Sequence, residues 1–287
     1  MQIINNISEI INDKITQTTA VGGGCIAESF RVKTASGRQY FLKTVRNNSN
    51  MFRAEADGLC ELAKPACIGV PGVIAVGDDF LLMEYIERGR ASSDFYFKAG
   101  EQLARMHRHT NPEFGFVRDN YIGSGRQFNI ATGTEKTDWA EFYFNKRLLP
   151  QYNLAVQNAY DNSEFKSLFL TLESHLPKIL EGSENTASLL HGDLWSGNMM
   201  CNGDGNPVIF DPAVYYGNRE TDIAMTLLFG GFPEEFYAGY DSHYPLADGW
   251  RNRMPVYQLY HILNHLNLFG KSYYNEAITI LRRYNTR

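Results

Sequence analysis

The hydrophobic period of the chain changes once, near Glu87-Arg88-Gly89-Arg90, and this change limits the fold more than any other feature. Upstream, short runs rich in β-branched and aromatic residues occupy 16–21, 29–34, 39–45, 70–76 and 80–86. Turn residues punctuate them at Gly22-Gly23-Gly24, Ala35-Ser36-Gly37 and Gly77-Asp78-Asp79, the pattern of an antiparallel meander. Two stretches there keep helical spacing instead: 3–15, with Ile3, Ile4, Ile7, Ile10, Ile11 and Ile15, and 51–63, with Met51, Phe52, Ala56, Leu59 and Leu62. Beyond Ser92 the spacing predicts helices over 94–108, 138–149, 163–180, 220–228, 233–241 and 252–268. One β-hairpin, 198–201 with 207–211, interrupts them around an Asn/Asp/Gly turn. The expected architecture is α+β in two lobes, 1–87 and 88–287.

A chain of 287 residues can bury a sizeable core, and 44% hydrophobic with 21% charged residues excludes the fibrous and disordered classes. The net charge of −5 supplies no field for polyanions, so neither nucleic acid nor an acidic membrane surface is an expected partner. Glu9, Asp13 and Lys14 break the apolar run a leader or membrane span would need. The four cysteines form neither a C-x-x-C pair nor a zinc set. Together these features lead to the expectation of a cytoplasmic protein.

The chemistry concentrates in His191-Gly192-Asp193-Leu194-Trp195-Ser196-Gly197-Asn198, followed by Val208-Ile209-Phe210-Asp211. Four residues separate Asp193 from Asn198, the spacing of a kinase catalytic loop in which the carboxylate accepts a substrate proton and the amide holds a metal. Asp211 closes the next apolar strand, whence its carboxylate returns to the same centre, and such oxygen donors suit Mg²⁺. His191 is expected to brace the loop. Lys43 lies in an apolar strand and needs a partner, which Glu55, twelve residues on in a helix, supplies; the pair would orient ATP phosphates. Gly22, Gly23 and Gly24 sit where bare backbone amides could approach those phosphates, although three glycines also suit a plain turn. His261 and His265 share a helix face, but the aromatic and aliphatic residues around them indicate packing rather than metal binding.

These residues resemble the fructosamine kinase (ketosamine-3-kinase) family of the protein-kinase-like superfold. The likeness extends through Asp211-Pro212-Ala213, Gly22-Gly23-Gly24-Cys25-Ile26, Met51-Phe52 to Glu55-Ala56, Met83-Glu84-Tyr85, Asp119-Asn120-Tyr121-Ile122-Gly123, the run 228–232 and the tail ending at Gly270. It implies a two-lobed kinase with ATP and Mg²⁺, acting on a free or protein-bound ketosamine at the sugar O3 in deglycation repair, as a monomer or homodimer. It makes Asp193 the proton acceptor, Asn198 and Asp211 the magnesium holders, Lys43 and Glu55 the phosphate-orienting pair, and the backbone of Glu84, Tyr85 and Ile86 the adenine contact. Trp195 would pack on the sugar or fill space under the loop, and Asp119, Asn120 and Gln127 would shape the acceptor pocket. Glu220 and Asp222 would attract the substrate amine or anchor the loop. Cys25 would be a redox-sensitive thiol or a reduced, buried one. Aminoglycoside, choline and other sugar kinases share the H-G-D-x-x-x-x-N frame and stay open as alternatives, as does a nucleotide-binding module without turnover.

Overall fold

The computed structural model describes residues 2–22, 27–45 and 50–284; Gly23, Gly24 and Cys25, with the expectations attached to them, lie outside these. The amino-terminal lobe is built from α1 (Gln2–Ile10), β1 (Ile15–Val21), β2 (Glu28–Thr34), β3 (Gln39–Thr44), α2 (Met51–Ala63), β4 (Val73–Val76) and β5 (Phe80–Glu84). Its strands form one antiparallel sheet in the order β1-β2-β3-β5-β4. Alternate β5 residues point to opposite faces. Phe80 and Leu82 pack with Ile7, Ile15, Val32, Tyr40 and Leu42 under α1, while Leu81 and Met83 pack with Phe52, Ala56 and Leu59 of α2. Burial on both faces explains why β5 is an unbroken apolar run.

The first helix is shorter than its spacing predicts. Asn12 adopts a left-handed conformation (φ 48°), ending α1, and Ile15 starts a strand whose N–H donates to Ser8 Oγ at 3.0 Å. Ile15 still reaches the cluster around Ile7, so one apolar stripe is shared by a helix and the strand after it.

The larger lobe follows as α3 (Phe95–His107), β6 (Thr110–Asn111), β7 (Asn120–Ile122), β8 (Gly125–Gln127), α4 (Trp139–Tyr143), α5 (Leu149–Gln157), α6 (Ser163–Ile179), β9 (Ala187–Leu190), β10 (Met199–Cys201), β11 (Pro207–Ile209), β12 (Tyr215–Gly217), α7 (Glu220–Thr226), α8 (Glu234–His243), α9 (Trp250–Phe269) and α10 (Tyr274–Arg283). A π-helical turn, Phe144–Leu148, joins α4 to α5, so the helix predicted to stop at 149 continues past Pro150, which its first turn tolerates. The segment 120–127 is the β7–β8 hairpin. The lobes meet where Gly69 pairs with Val208 and where α2 lies against the Pro212–Val214 segment: a Cβ on Gly58 would stand 3.1 Å from Val214 Cγ2. Among the described residues no helix is long and apolar enough to cross a membrane.

Candidate active site

Lys43 leaves the middle of β3, buried among apolar neighbours, and its Nζ lies 2.6 Å from Glu55 Oε1 and 2.5 Å from Asp211 Oδ1. Burial alone would lower the lysine pKa; the Glu55 and Asp211 charges outweigh it and hold the ammonium above its ordinary value. One cation thus ties the sheet and α2 of the small lobe to Asp211 of the large one.

The loop after β9 is held by its own backbone. His191 Nε2 lies 3.0 Å from the Phe210 carbonyl, which can only accept, so Nε2 carries the proton and Nδ1 accepts from the Asp193 N–H at 3.3 Å. Burial keeps this imidazole neutral by lowering its pKa. The expected bracing role of His191 is therefore what its contacts describe. Gly192 is left-handed (φ 82°) and a Cβ there would lie 2.0 Å from the Ala213 carbonyl oxygen, so only glycine fits.

Asp193 follows, half-buried, with Asn198 Nδ2 donating to its carbonyl at 2.8 Å and lying 3.4 Å from its Oδ2. Burial first, then the negative charges of Asp211 and Asp222, raise the Asp193 carboxyl to about 7, against the opposing Asn198 contact. Asp211 is left-handed (φ 57°) and its side chain is 43% exposed. Because Asn198 spends its amide nitrogen on Asp193, its Oδ1 and the Asp211 carboxylate make a hard-oxygen donor pair. That set fits Mg²⁺, which keeps waters and shares phosphate oxygens instead of filling a protein cage.

The remaining predicted residues divide. Trp195 is 37% exposed and its indole covers Gly197, so it does not fill interior space beneath the loop. Glu84 ends β5, with its N–H donating to the Gly72 carbonyl at 2.8 Å, and the Arg31 guanidinium lies 4.7 Å from the Tyr85 ring centre; Ile86 follows, half-buried. Gly22 follows β1, with open space where a side chain would be.

The other five predicted residues, Asp119, Asn120, Gln127, Glu220 and Asp222, are each held by protein partners. Asp119 accepts from the Asn129 and Ile130 amides and from Arg126, closing its own loop. Asn120 and Gln127 are buried and bonded to the Val214 and Ala213 carbonyls. Glu220 is 2% exposed and bound by two nitrogens of Arg253 at 2.8 and 2.6 Å, which leaves an incoming amine no access. Asp222 is buried; its Oδ2 and Oδ1 accept from the His191 and Gly192 amides at 2.7 and 2.8 Å, and His107 Nε2 lies 3.2 Å away. Burial opposes ionisation of Asp222, but His107, His191 and the Gly192 N–H prevail and lower its pKa. Of the two roles expected for Asp222, anchoring is the one its contacts describe.

His107, whose Nδ1 meets the Tyr240 hydroxyl at 2.7 Å, had no sequence signal beyond a place on an apolar helix face. It supports the loop through Asp222, which lies 115 residues away in the chain.

A small antiparallel lobe offering a lysine–glutamate pair to an Asp/Asn loop on a helical lobe defines a protein-kinase-like phosphotransferase. The model of the fructosamine kinase family matches residues 1–287. The chain is 42% identical over 269 residues to a "Probable ketoamine kinase" of Enterococcus faecium, covering 92% of this chain and 94% of that one. It is 39% identical over 279 residues to a chloroplastic "Protein-ribulosamine 3-kinase" of Oryza sativa subsp. indica, covering 94% and 79%. A crystal structure from Thermobifida fusca, of a protein assigned to the fructosamine-3-kinases, superposes with TM-score 0.89 at 30% identity, covering 99% and 98% of the two chains. The chain belongs to the fructosamine kinase family and is an ATP-dependent phosphotransferase.

Proposed function

We propose that this phosphotransferase moves the γ-phosphate of ATP to the O3 hydroxyl of a ketosamine, a keto sugar attached to an amine, as a step in removing glycation from proteins or metabolites. The observation that carries the reading is Asp193, a half-buried carboxylate in a braced loop, with the exposed indole of Trp195 two residues on. Names of relatives that specify ketoamine or ribulosamine as acceptor support the substrate class.

In this reading residues 1–87 serve the nucleotide and 88–287 the acceptor. Lys43, held by Glu55, engages ATP phosphates, and the backbone of Glu84, Tyr85 and Ile86 meets adenine. Asp193 accepts the proton of the attacking hydroxyl while Trp195 packs on the sugar face. Asn198 and Asp211 hold Mg²⁺, which, when bound, offsets the negative charge of the phosphates.

The test is a panel of fructosamines, ribulosamines, erythrulosamines and aminoglycosides incubated with ATP and Mg²⁺ and scored for phosphorylated product. Phosphate on the O3 of one or more ketosamines, with aminoglycosides unmodified, is the expected result. Modification of an aminoglycoside alone overturns the substrate assignment.

A further inference from the structure

Arg147 is fully buried, and among the described residues no carboxylate pairs with it. It sits on the π-helical turn Phe144–Leu148, an uncommon geometry that recurs where a side chain must be aimed. The guanidinium carbon stands 3.9 Å from the Tyr215 ring centre and 5.7 Å from that of Tyr260, its NH1 donates to the Phe128 carbonyl, and its Nε has no partner. Its NH1 also donates to the Lys146 carbonyl at 3.0 Å; a buried cation kept without a counter-charge is costly, so the side-chain contact its NH2 makes is informative.

That contact opens a chain with one direction. Arg147 NH2 donates to Asn129 Oδ1 (2.7 Å), and Asn129 Nδ2 donates to Asn120 Oδ1 (2.8 Å). Asn120 Nδ2 then donates to the Val214 carbonyl (2.7 Å). Gln127 joins from the side: Nε2 donates to Asn120 Oδ1 and to the Ala213 carbonyl, both at 2.9 Å, while Oε1 accepts from Tyr260 at 2.8 Å. A guanidinium only donates and a carbonyl only accepts, so the two ends fix the orientation of every amide between them.

The chain ends on the residues that follow Asp211. Asp211 is left-handed, a conformation that is costly for a non-glycine residue and persists only where its surroundings enforce it. On its amino side Phe210 is fixed, its N–H donating to the Asn198 carbonyl and its own carbonyl accepting from His191. On its carboxyl side the Ala213 N–H donates to the His191 carbonyl, and the Ala213 and Val214 carbonyls are the two acceptors of the chain. Asp211 and Pro212 are thus suspended between two clamped points.

We propose that Arg147, Asn129, Asn120 and Gln127 are positioning residues for the metal-binding carboxylate, acting through the backbone of Ala213 and Val214. The polar β7–β8 hairpin is then part of the phosphoryl-transfer site without touching substrate. This inference rests on reading Asp211 as a magnesium holder, and the experiment separates the two.

Binding of Mn²⁺ to the enzyme–ADP complex is read by electron paramagnetic resonance for wild type, Gln127→Met, Tyr260→Phe and Asp211→Asn, alongside circular dichroism and turnover at varied Mg²⁺. Gln127→Met is expected to weaken Mn²⁺ binding by about tenfold, about 1.4 kcal/mol. It should raise the Mg²⁺ concentration for half-maximal turnover to match, with KM for ATP at saturating metal changed by less than about threefold. Tyr260→Phe, which keeps the ring and removes one donor, should weaken binding in the same direction by about threefold. If Gln127→Met does not fold, Tyr260→Phe decides alone. Metal binding unchanged in the folded variants overturns the positioning role. Metal binding that survives Asp211→Asn instead overturns the reading of Asp211 and leaves the brace without its object.

Discussion

Asp193 carries opposing demands. Lifted to about 7 by burial and by the Asp211 and Asp222 charges, its carboxyl has a pKa close to that of a good proton acceptor at neutral pH. Its ionised form is correspondingly expensive in the fold. Since the folded pKa is raised above the ordinary value of 3.8, the folded chain holds a proton that the unfolded chain releases, and stability falls as pH rises from about 4 to about 7. Asp193→Asn should lower kcat by at least about a hundredfold. Measured in chelator without nucleotide, it should also be more stable than wild type at pH 8, on the order of 1–3 kcal/mol once partial solvent access is allowed for, and equal to it near pH 4. In wild type, kcat/KM should rise with pH and level off above about 7. Urea denaturation of both proteins at the two pH values, with a pH profile of kcat/KM, checks the set; a variant less stable than wild type at pH 8 contradicts the assigned electrostatics.

Residues also show what a sequence reveals. Asp193, Asn198 and Asp211 lie within nineteen positions of one another and Lys43 and Glu55 twelve apart, so local spacing exposes them. Asn129, Arg147, His107 and Tyr240 act through contacts between distant segments, each drawing only on polarity in an otherwise apolar setting. The same limit left two roles open for Glu220, and Arg253, 33 residues on, is seen to cover its carboxylate only in the fold.

Among the elements, α2 couples the lobes. It carries Glu55 toward Lys43, and its far side is fastened to the large lobe by the Gly58 approach to Val214, by Tyr216 donating to Glu61 at 2.8 Å, and by the Arg118–Asp57 pair at 2.8 Å. Gly58→Val adds two methyls and a branch where even a Cβ is tight, so α2 must lift from the 212–214 segment. A cost of about 1–3 kcal/mol in stability and a KM for ATP raised at least about fivefold are expected, read by thermal melting and steady-state kinetics. An unchanged KM would show that the seating of α2 does not govern the Lys43–Glu55 pair. Long elements were legible because their period repeats: 51–63 is the helix its spacing predicts. β6, β7, β8 and β12, with two or three residues each, are too short for alternation to register, and their positions follow from the partners they find in space.

For the whole molecule, the division of labour is uneven. The loop after β9 is tied to α3, α7 and α8 through His107, Asp222 and Tyr240, all in the large core, whereas the amino-terminal sheet has β1 at one edge with six of its seven residues exposed. Hydrogen exchange should therefore be slowest at the His191, Gly192 and Ala213 amides and at least about tenfold faster along β1, measured by mass spectrometry on the intact chain. Equal protection would mean the lobes open as one unit.

The inward bonding of the loop has a further consequence, in the sign of what it presents. The amides of His191 and Gly192 point at Asp222 and that of Asp193 at the His191 ring, so three consecutive donors face the protein interior. The side chains of the same loop supply acceptors, the Asp193 carboxylate and the Asn198 amide oxygen. An acyl-transfer site does the reverse, aiming peptide N–H groups at a developing oxyanion. Three donors turned inward are withdrawn from any tetrahedral anion, while a carboxylate on the same loop can take a proton from an alcohol. The direction of three peptide bonds thus favours phosphoryl over acyl chemistry at this loop.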